Sequence, residues 1–163
     1  MKLYEPFQFL TAAECDDIIE YARTKKINKG TTLRPSNARN NRVVWYEESS
    51  LWEKWISMFN TIDPVVDWIQ TPQIAFYKTG EEYQWHTDTW PNYRTHIRHF
   101  TLTCELQSAP GGRLELENKS FDLQKGEAIV FKPQDRHRAV SPTSGERISF
   151  TIWAMAKNPD KVD

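Results

Sequence analysis

His86 and Asp88 stand one residue apart in YQWHTDTW, residues 83–90, among aromatics and hydroxyls. In an extended strand side chains alternate faces, so His86 and Asp88 point one way while Trp85 and Thr87 point the other. An imidazole beside a carboxylate can ligate a metal ion, but two groups do not make a site. The chain has four histidines: His86, His96, His99 and His137. His137 lies in DRHRAVSPTSGERISF, at the start of a short strand that a Ser-Pro turn ends, so it comes from a different strand than His86. Two imidazoles and one carboxylate on one face of an octahedral iron leave three positions open, and imidazole suits Fe(II). The spacing of His96 and His99 sends them to opposite faces of a strand, where they belong to the surface or to a pocket rim.

Arg147 follows His137 by ten residues, past a turn. In RISFTIWA, Ile148, Phe150 and Ile152 share one face, and Arg147, Ser149, Thr151 and Trp153 share the other. In IRHFTLTCEL, Phe100, Leu102, Cys104 and Leu106 oppose His99, Thr101, Thr103 and Glu105; in PQIAFYKTG, Ile74 and Phe76 oppose Gln73, Ala75 and Tyr77. Solvated faces favour Lys and Glu. These polar faces instead hold a Trp, a Tyr, threonines and one Arg, the composition of an interior lined for a ligand; a face turned to water is the alternative. An interior Arg needs an anionic partner. Glu105 in a structural ion pair and the carboxylate of a ligand both meet that need.

The elements that position these residues change character along the chain. From residue 72 onward short alternating runs are separated by turn signals at Gly80, Pro110-Gly111-Gly112, Gly126, Pro133 and Ser144-Gly145. Many short strands at this spacing indicate an antiparallel sandwich or jelly roll. The N-terminal part is helical. Thr11 and Glu14 form a capping box ahead of an apolar stripe of Cys15, Ile18, Ile19 and Ala22. A second capping box at Ser50 and Glu53 opens a helix that buries Trp52, Trp55, Ile56 and Phe59, and Pro64 ends it or forces a restart. Between them VVWYE suits a short strand, and TKKINKGTTLRPSNARNNR has no periodicity and suits a loop. These helices pack on one outer face of the sheets.

The 163 residues suffice for a single domain with a core, and 21 Lys plus Arg against 22 Asp plus Glu give no bulk attraction for nucleic acid or membranes. Seven Trp, six Tyr and eight Phe suit a compact core and a lined pocket. Glu5 interrupts the opening MKLYEPFQFL, which does not suit a signal peptide, and no apolar run is long enough to cross a bilayer. Cys15 on a helix and Cys104 on a central strand fit two reduced, buried thiols in a cytoplasmic protein.

The order Tyr77, Gly80, Tyr83, His86, Asp88, Arg98, Gly111, Gly112, Gly126, His137, Arg147 and Trp153 resembles the pattern of the Fe(II)- and 2-oxoglutarate-dependent dioxygenases, in their prolyl 4-hydroxylase-like branch. FLTAAECDDII resembles the opening helix of these enzymes. The resemblance covers most of the chain and is weakest between residues 25 and 70. It implies a double-stranded β-helix (jelly roll), mainly β with flanking α, as one domain over 1–163: helical support and a variable loop over 1–70, the jelly-roll core over 71–157. It implies Fe(II) on His86, Asp88 and His137, 2-oxoglutarate as cosubstrate with its distal carboxylate on Arg147, and dioxygen. Tyr77 matches a cosubstrate hydrogen-bond donor, Leu114 an apolar wall, and Thr151 and Trp153 residues lining the pocket near the metal. Where some relatives place a Tyr beside the Arg, this chain has Glu105. An acid there repels a carboxylate, so either Glu105 turns away or Thr103 and Ser149 supply the hydrogen bonds. The implied reaction hydroxylates a C–H bond of a peptide, protein or small molecule with release of succinate and carbon dioxide. A non-catalytic jelly-roll binding module is the rival class, and the basic stretch keeps nucleobase demethylation open within the enzyme class. Trp90, Tyr93 and Arg94 belong to a loop at the site mouth where substrate could touch.

Overall fold

The alternation that begins near residue 72 builds two antiparallel sheets in the computed structural model, which describes residues 1–25, 28–30, 38–90 and 93–160. In chain order the elements are β1 (Phe7–Gln8), α1 (Ala12–Arg23), β2 (Asn28–Lys29), β3 (Arg42–Trp45), α2 (Trp52–Asn60), β4 (Val66–Lys78), β5 (Tyr83–His86), β6 (His96–Gln107), β7 (Arg113–Leu116), β8 (Lys119–Phe121), β9 (Glu127–Phe131), β10 (His137–Val140) and β11 (Glu146–Lys157). The major sheet runs β1-β9-β6-β11-β4-β3-β2, and the minor sheet runs β5-β10-β7-β8. This is the expected jelly roll with helices on one outer face. Much of the basic stretch and part of the 89–97 loop lie outside the described residues.

The period-two reading of the long strands sorts side chains as they are found. Ile148, Phe150 and Ile152 of β11, Phe100, Leu102, Cys104 and Leu106 of β6, and Ile74 and Phe76 of β4 join one buried cluster with Cys15, Ile18, Ile19 and Ala22 of α1 and with Trp55 and Phe59 of α2. The capping box at Thr11 is formed in both directions. Phe150 lies at the middle, with Tyr46 and Trp55 in edge contact at 5.4 and 5.8 Å. Full burial of a side chain of this size is worth about 1.5–3 kcal/mol. The opposite faces of the same strands look into the space between the sheets, and Leu114, Phe121, Leu123, Ile129 and Phe131 form a second buried cluster.

Four local expectations are corrected. Helix α2 begins at Trp52 with Leu51 as its cap, and no side chain caps it, so Ser50 and Glu53 form no capping box. The helix stops at Asn60, ahead of Pro64, where the Thr61 hydroxyl and amide bond back to Met58. The short strand expected at VVWYE is found as β3, but β4 already starts at Val66, and β1 and β2 also join the major sheet, so the segment before residue 70 contributes more strand than expected. His99 leaves the face it shares with Thr101 in a regular strand. Ala154 pairs with Phe100 but Met155 pairs with Arg98, so His99 is the extra residue of a bulge in β6. His99 bonds Asp63 at 2.9 Å, near the end of α2, and Arg98 stacks on Trp153 instead.

Candidate metal centre

Strand β5 is short, and its edge pairing with β10 sets His86 directly opposite His137. That register also skips a residue: His137 pairs with His86 while Ala139 pairs with Tyr83. The bulge puts Tyr83 on the same side as His86, and the two rings stack at 3.5 Å and 5°. Asp88 lies two residues past the end of β5, so the strand does not aim it; its amide bonds the Pro133 carbonyl at 2.8 Å, which ties the segment to the turn before β10. Asp88 Oδ1 lies 3.5 Å from His86 Nε2 and 3.3 Å from His137 Nε2. Neighbouring ligands on a first-row ion with bonds of about 2.1 Å stand about 3 Å apart. All three donor atoms lie within 4.8 Å of one another.

Each donor is aimed by a second bond. His86 Nδ1 lies 2.7 Å from the Gln84 carbonyl and His137 Nδ1 2.9 Å from the Asp135 carbonyl. A carbonyl only accepts, so each Nδ1 carries the proton and each Nε2 lone pair is left for a ligand. Asp88 Oδ2 accepts from the Thr101 hydroxyl at 3.0 Å and from the Trp153 indole N–H at 3.1 Å, which leaves Oδ1 facing the imidazoles. Burial alone raises the Asp88 carboxyl, but His137 and then His86 outweigh it and hold the carboxylate well below its ordinary range. Burial lowers both imidazoles. In His86 it prevails over the pull of Asp88, whereas in His137 the charge and hydrogen bond of Asp88 win and the ring is raised.

Behind the triad lie the polar faces of β4, β6 and β11. Arg147, Ser149, Thr103 and Tyr77 are buried, and Thr151 is half-buried. Cross-strand register places Tyr77 opposite Arg147 and Thr103 opposite Thr151, with the guanidinium carbon 5.7 Å from the Tyr77 ring centre. Burial pushes the Tyr77 phenol up, against the pull of Arg39 and Arg147, so it stays a donor. Leu114 belongs to the second buried apolar cluster. Glu105 does not turn away. Its Oε1 accepts from Arg147 Nε at 2.8 Å, so the ion pair kept open from the sequence is the one that forms. The terminal nitrogens of Arg147 donate to no other described residue.

Tyr77 links the two groups, since its phenol feels both Arg147 and Asp88, and the rival histidines stand apart. His96 bonds Asp67 and His99 bonds Asp63, each at 2.9 Å. Trp90, Tyr93 and Arg94 are exposed, and Tyr93 packs on Trp68. Two residues were missed. Thr101 holds Asp88; its place on the polar face of β6 was the available signal. Arg39 is buried over the Tyr83 ring at 4.5 Å and donates to Asn41 and to Gln73 at 2.6 and 2.7 Å. It sits in the aperiodic stretch, where no pattern marks it.

Comparison with known proteins gives a family and a fold. The family model of the 2OG-Fe(II) oxygenase superfamily matches residues 72–155. A PKHD-type hydroxylase from Teredinibacter turnerae is 27% identical over 106 residues, covering 58% of this chain and 47% of its own, so the chain spans about half the length of this curated relative. Among solved structures, a viral collagen prolyl hydroxylase from Paramecium Bursaria Chlorella virus-1 superposes with a TM-score of 0.77 at 24% identity, covering 95% of this chain and 97% of that one. A Pseudomonas putida prolyl-4-hydroxylase superposes with a TM-score of 0.68 at 17% identity, covering 92% and 91%.

Proposed function

The chain belongs to the 2OG-Fe(II) oxygenase superfamily, and on that premise we propose that it hydroxylates a C–H bond of a peptide, protein or small-molecule substrate, of prolyl type among peptides. The observation that carries the reading is the convergence of His86, Asp88 and His137 in an interior that also buries the guanidinium of Arg147. Two imidazole nitrogens and one carboxylate oxygen are the donor set of a non-haem Fe(II) facial triad, so the residues fit the metal. Bound Fe(II), with 2-oxoglutarate and dioxygen, supplies the oxidising power for hydroxylation and the release of succinate and carbon dioxide.

The chain's own residues supply placement. The carbonyls of Gln84 and Asp135 hold the two rings, and Thr101 and Trp153 fix the carboxylate, so the three donors are set before any ligand arrives. Arg147 offers its terminal nitrogens to the distal carboxylate of the cosubstrate, in the fork geometry that suits carboxylates. Tyr77 donates its phenol proton, the hydroxyls of Thr103, Ser149 and Thr151 line the path, and Leu114 walls it. Phe131, in the same apolar group as Leu114, packs on the His137 ring at 4.7 Å and supplies an apolar flank there. The sheets give the family fold, and the relatives that support a prolyl-type substrate are named as prolyl hydroxylases. We take residues 1–163 as one such unit. Its two free, buried cysteines suit the cytoplasm, and no described helix is long and apolar enough to cross a membrane.

The test is succinate release. Wild-type protein with Fe(II), 2-oxoglutarate and a panel of proline-containing peptides and free amino acids should yield succinate, and Asp88→Ala should not. Turnover retained in Asp88→Ala rules out this ligand set. Anaerobic addition of Fe(II) and 2-oxoglutarate should give a weak visible charge-transfer band; its absence, together with no succinate, favours a binding module.

A further inference from the structure

Glu105 is a buried carboxyl for which the reaction above has no task. It is 3% exposed and its partner Arg147 is 2% exposed. The bond between them uses only the Nε edge of the guanidinium, and the carboxyl accepts no other hydrogen bond from a described residue. The charged and titratable groups that face Glu105 come from several elements. Arg147 is on β11, Tyr77 on β4, and Asp122 follows β8; the thiols of Cys104 and Cys15 lie across the sheet on its helix side, Cys15 reaching only the backbone carbonyl of Glu105 at 3.9 Å.

An ionised Glu105 and Arg147 already neutralise each other. A second carboxylate on the same guanidinium leaves one net negative charge where there is little water, and an unbalanced buried charge is costly. One proton on Glu105 restores neutrality. A neutral carboxyl still accepts from Nε through its carbonyl oxygen, so Arg147 keeps its orientation.

We propose that Glu105 is a proton-linked positioning residue: it holds Arg147 by the Nε edge, leaves the terminal nitrogens for the cosubstrate, and takes up one proton when the distal carboxylate of 2-oxoglutarate binds there. The proposal rests on the reading of Arg147 as the cosubstrate anchor. Burial supports it, having pushed the Glu105 carboxyl up to about 7 against the opposing pull of Arg147. A carboxylate on Arg147 weakens that pull, so the value in the complex lies above that of the free protein. The sign follows by linkage. Well below about 7 Glu105 is already protonated, and binding moves no proton. Above it, each binding event draws a proton from solvent, and affinity falls as pH rises, by up to about tenfold per unit, until the value of the complex is reached.

The experiment is anaerobic calorimetric titration of 2-oxoglutarate into the Fe(II)-loaded protein at pH ~6 and ~8, in two buffers of different ionisation enthalpy at each pH. Proton uptake near zero at the lower pH and approaching one at the higher is expected. Glu105→Gln should bind without uptake at the higher pH, with an affinity that no longer falls between neutral and alkaline buffer. Firm binding to the wild-type chain with no uptake at the higher pH overturns the proposal and leaves Arg147 as the anchor. Uptake that persists in Glu105→Gln assigns the proton to another group and also overturns it. Absence of binding at either pH removes the anchor itself, and the proposal with it. The wild-type measurement needs no variant, so a failure of Glu105→Gln to fold does not spare the idea.

Discussion

Asp88 divides its two oxygens between different tasks. Oδ2 is held by Thr101 and Trp153, and Oδ1 lies between the imidazole nitrogens. Outer hydrogen bonds of this kind typically account for 10–100-fold in metal affinity. Trp153→Phe keeps an aromatic face, smaller than the indole that Arg98 covers at 3.9 Å, and removes the N–H. It should weaken Fe(II) binding by about 10–100-fold with little loss of stability, as read by metal titration and thermal melting. The imidazoles set a pH dependence. Burial favours their neutral forms, but Asp88 raises His137 above the ordinary 6.5 while His86 stays below it. A proton on His137 competes with the metal. Fe(II) affinity should therefore fall as pH drops, and the fall should begin above 6.5 rather than below it, followed by equilibrium binding across a pH series. The identity of the three donors was legible because two of them sit one residue apart and the third stands before an Arg at a fixed interval. Which carboxylate oxygen faces the imidazoles was not, since Trp153 lies 65 residues away from Asp88 and meets it only in the folded chain.

At the scale of elements, departures from regular strands do the aiming. The bulge in β5 stacks Tyr83 on His86, and the bulge in β6 sends His99 to Asp63 and turns Arg98 toward Trp153. A further skip in the β6–β11 register, where Ile148 pairs with Gln107 and Ser149 with Glu105, sets Glu105 beside Arg147. Turns are equally specific. Gly126 has φ of +86°, and a Cβ there would clash with the Leu10 carbonyl oxygen. Gly80 has φ of +88° with nothing within 4 Å of the same atom. Gly126→Ala should cost more than about 2 kcal/mol, because strain and clash with fixed backbone add. Gly80→Ala should cost about 1 kcal/mol from backbone strain alone. Chemical denaturation of the two variants measures the difference. The turns themselves were plain in the sequence, because glycine and proline act locally. The bulges were not, because an extra residue in one strand is defined only against its partner.

For the whole molecule, the two faces of the central strands divide stability from chemistry. β11 lies between β6 and β4, with one face against the helices and the other against the pocket. Phe150, fully buried on the helix side, should cost about 3–5 kcal/mol when replaced by Ala, through lost transfer energy and a residual cavity. Since the pocket lies across the sheet, the metal affinity of the folded fraction should stay near that of the wild type. Denaturant titration and metal binding on one preparation separate the two effects; a large loss of affinity in the folded fraction contradicts the division.

The sequence by itself determined the fold class, the two faces of β4, β6 and β11, the helix of the first capping box, and the set His86, Asp88, His137 and Arg147. The faces, turns and helix follow from local stereochemistry, because alternation along a strand and turn residues are properties of a few neighbouring positions, whereas the four site residues were joined by the pattern of the family the chain resembles. The tertiary structure alone decided that Glu105 is the partner of Arg147, that Arg39 reaches the pocket from an aperiodic stretch, and that His99 leaves its face. Each of these depends on register between distant strands or on where a loop returns to the sheet, and long-range pairing energies, not neighbouring residues, fix that geometry.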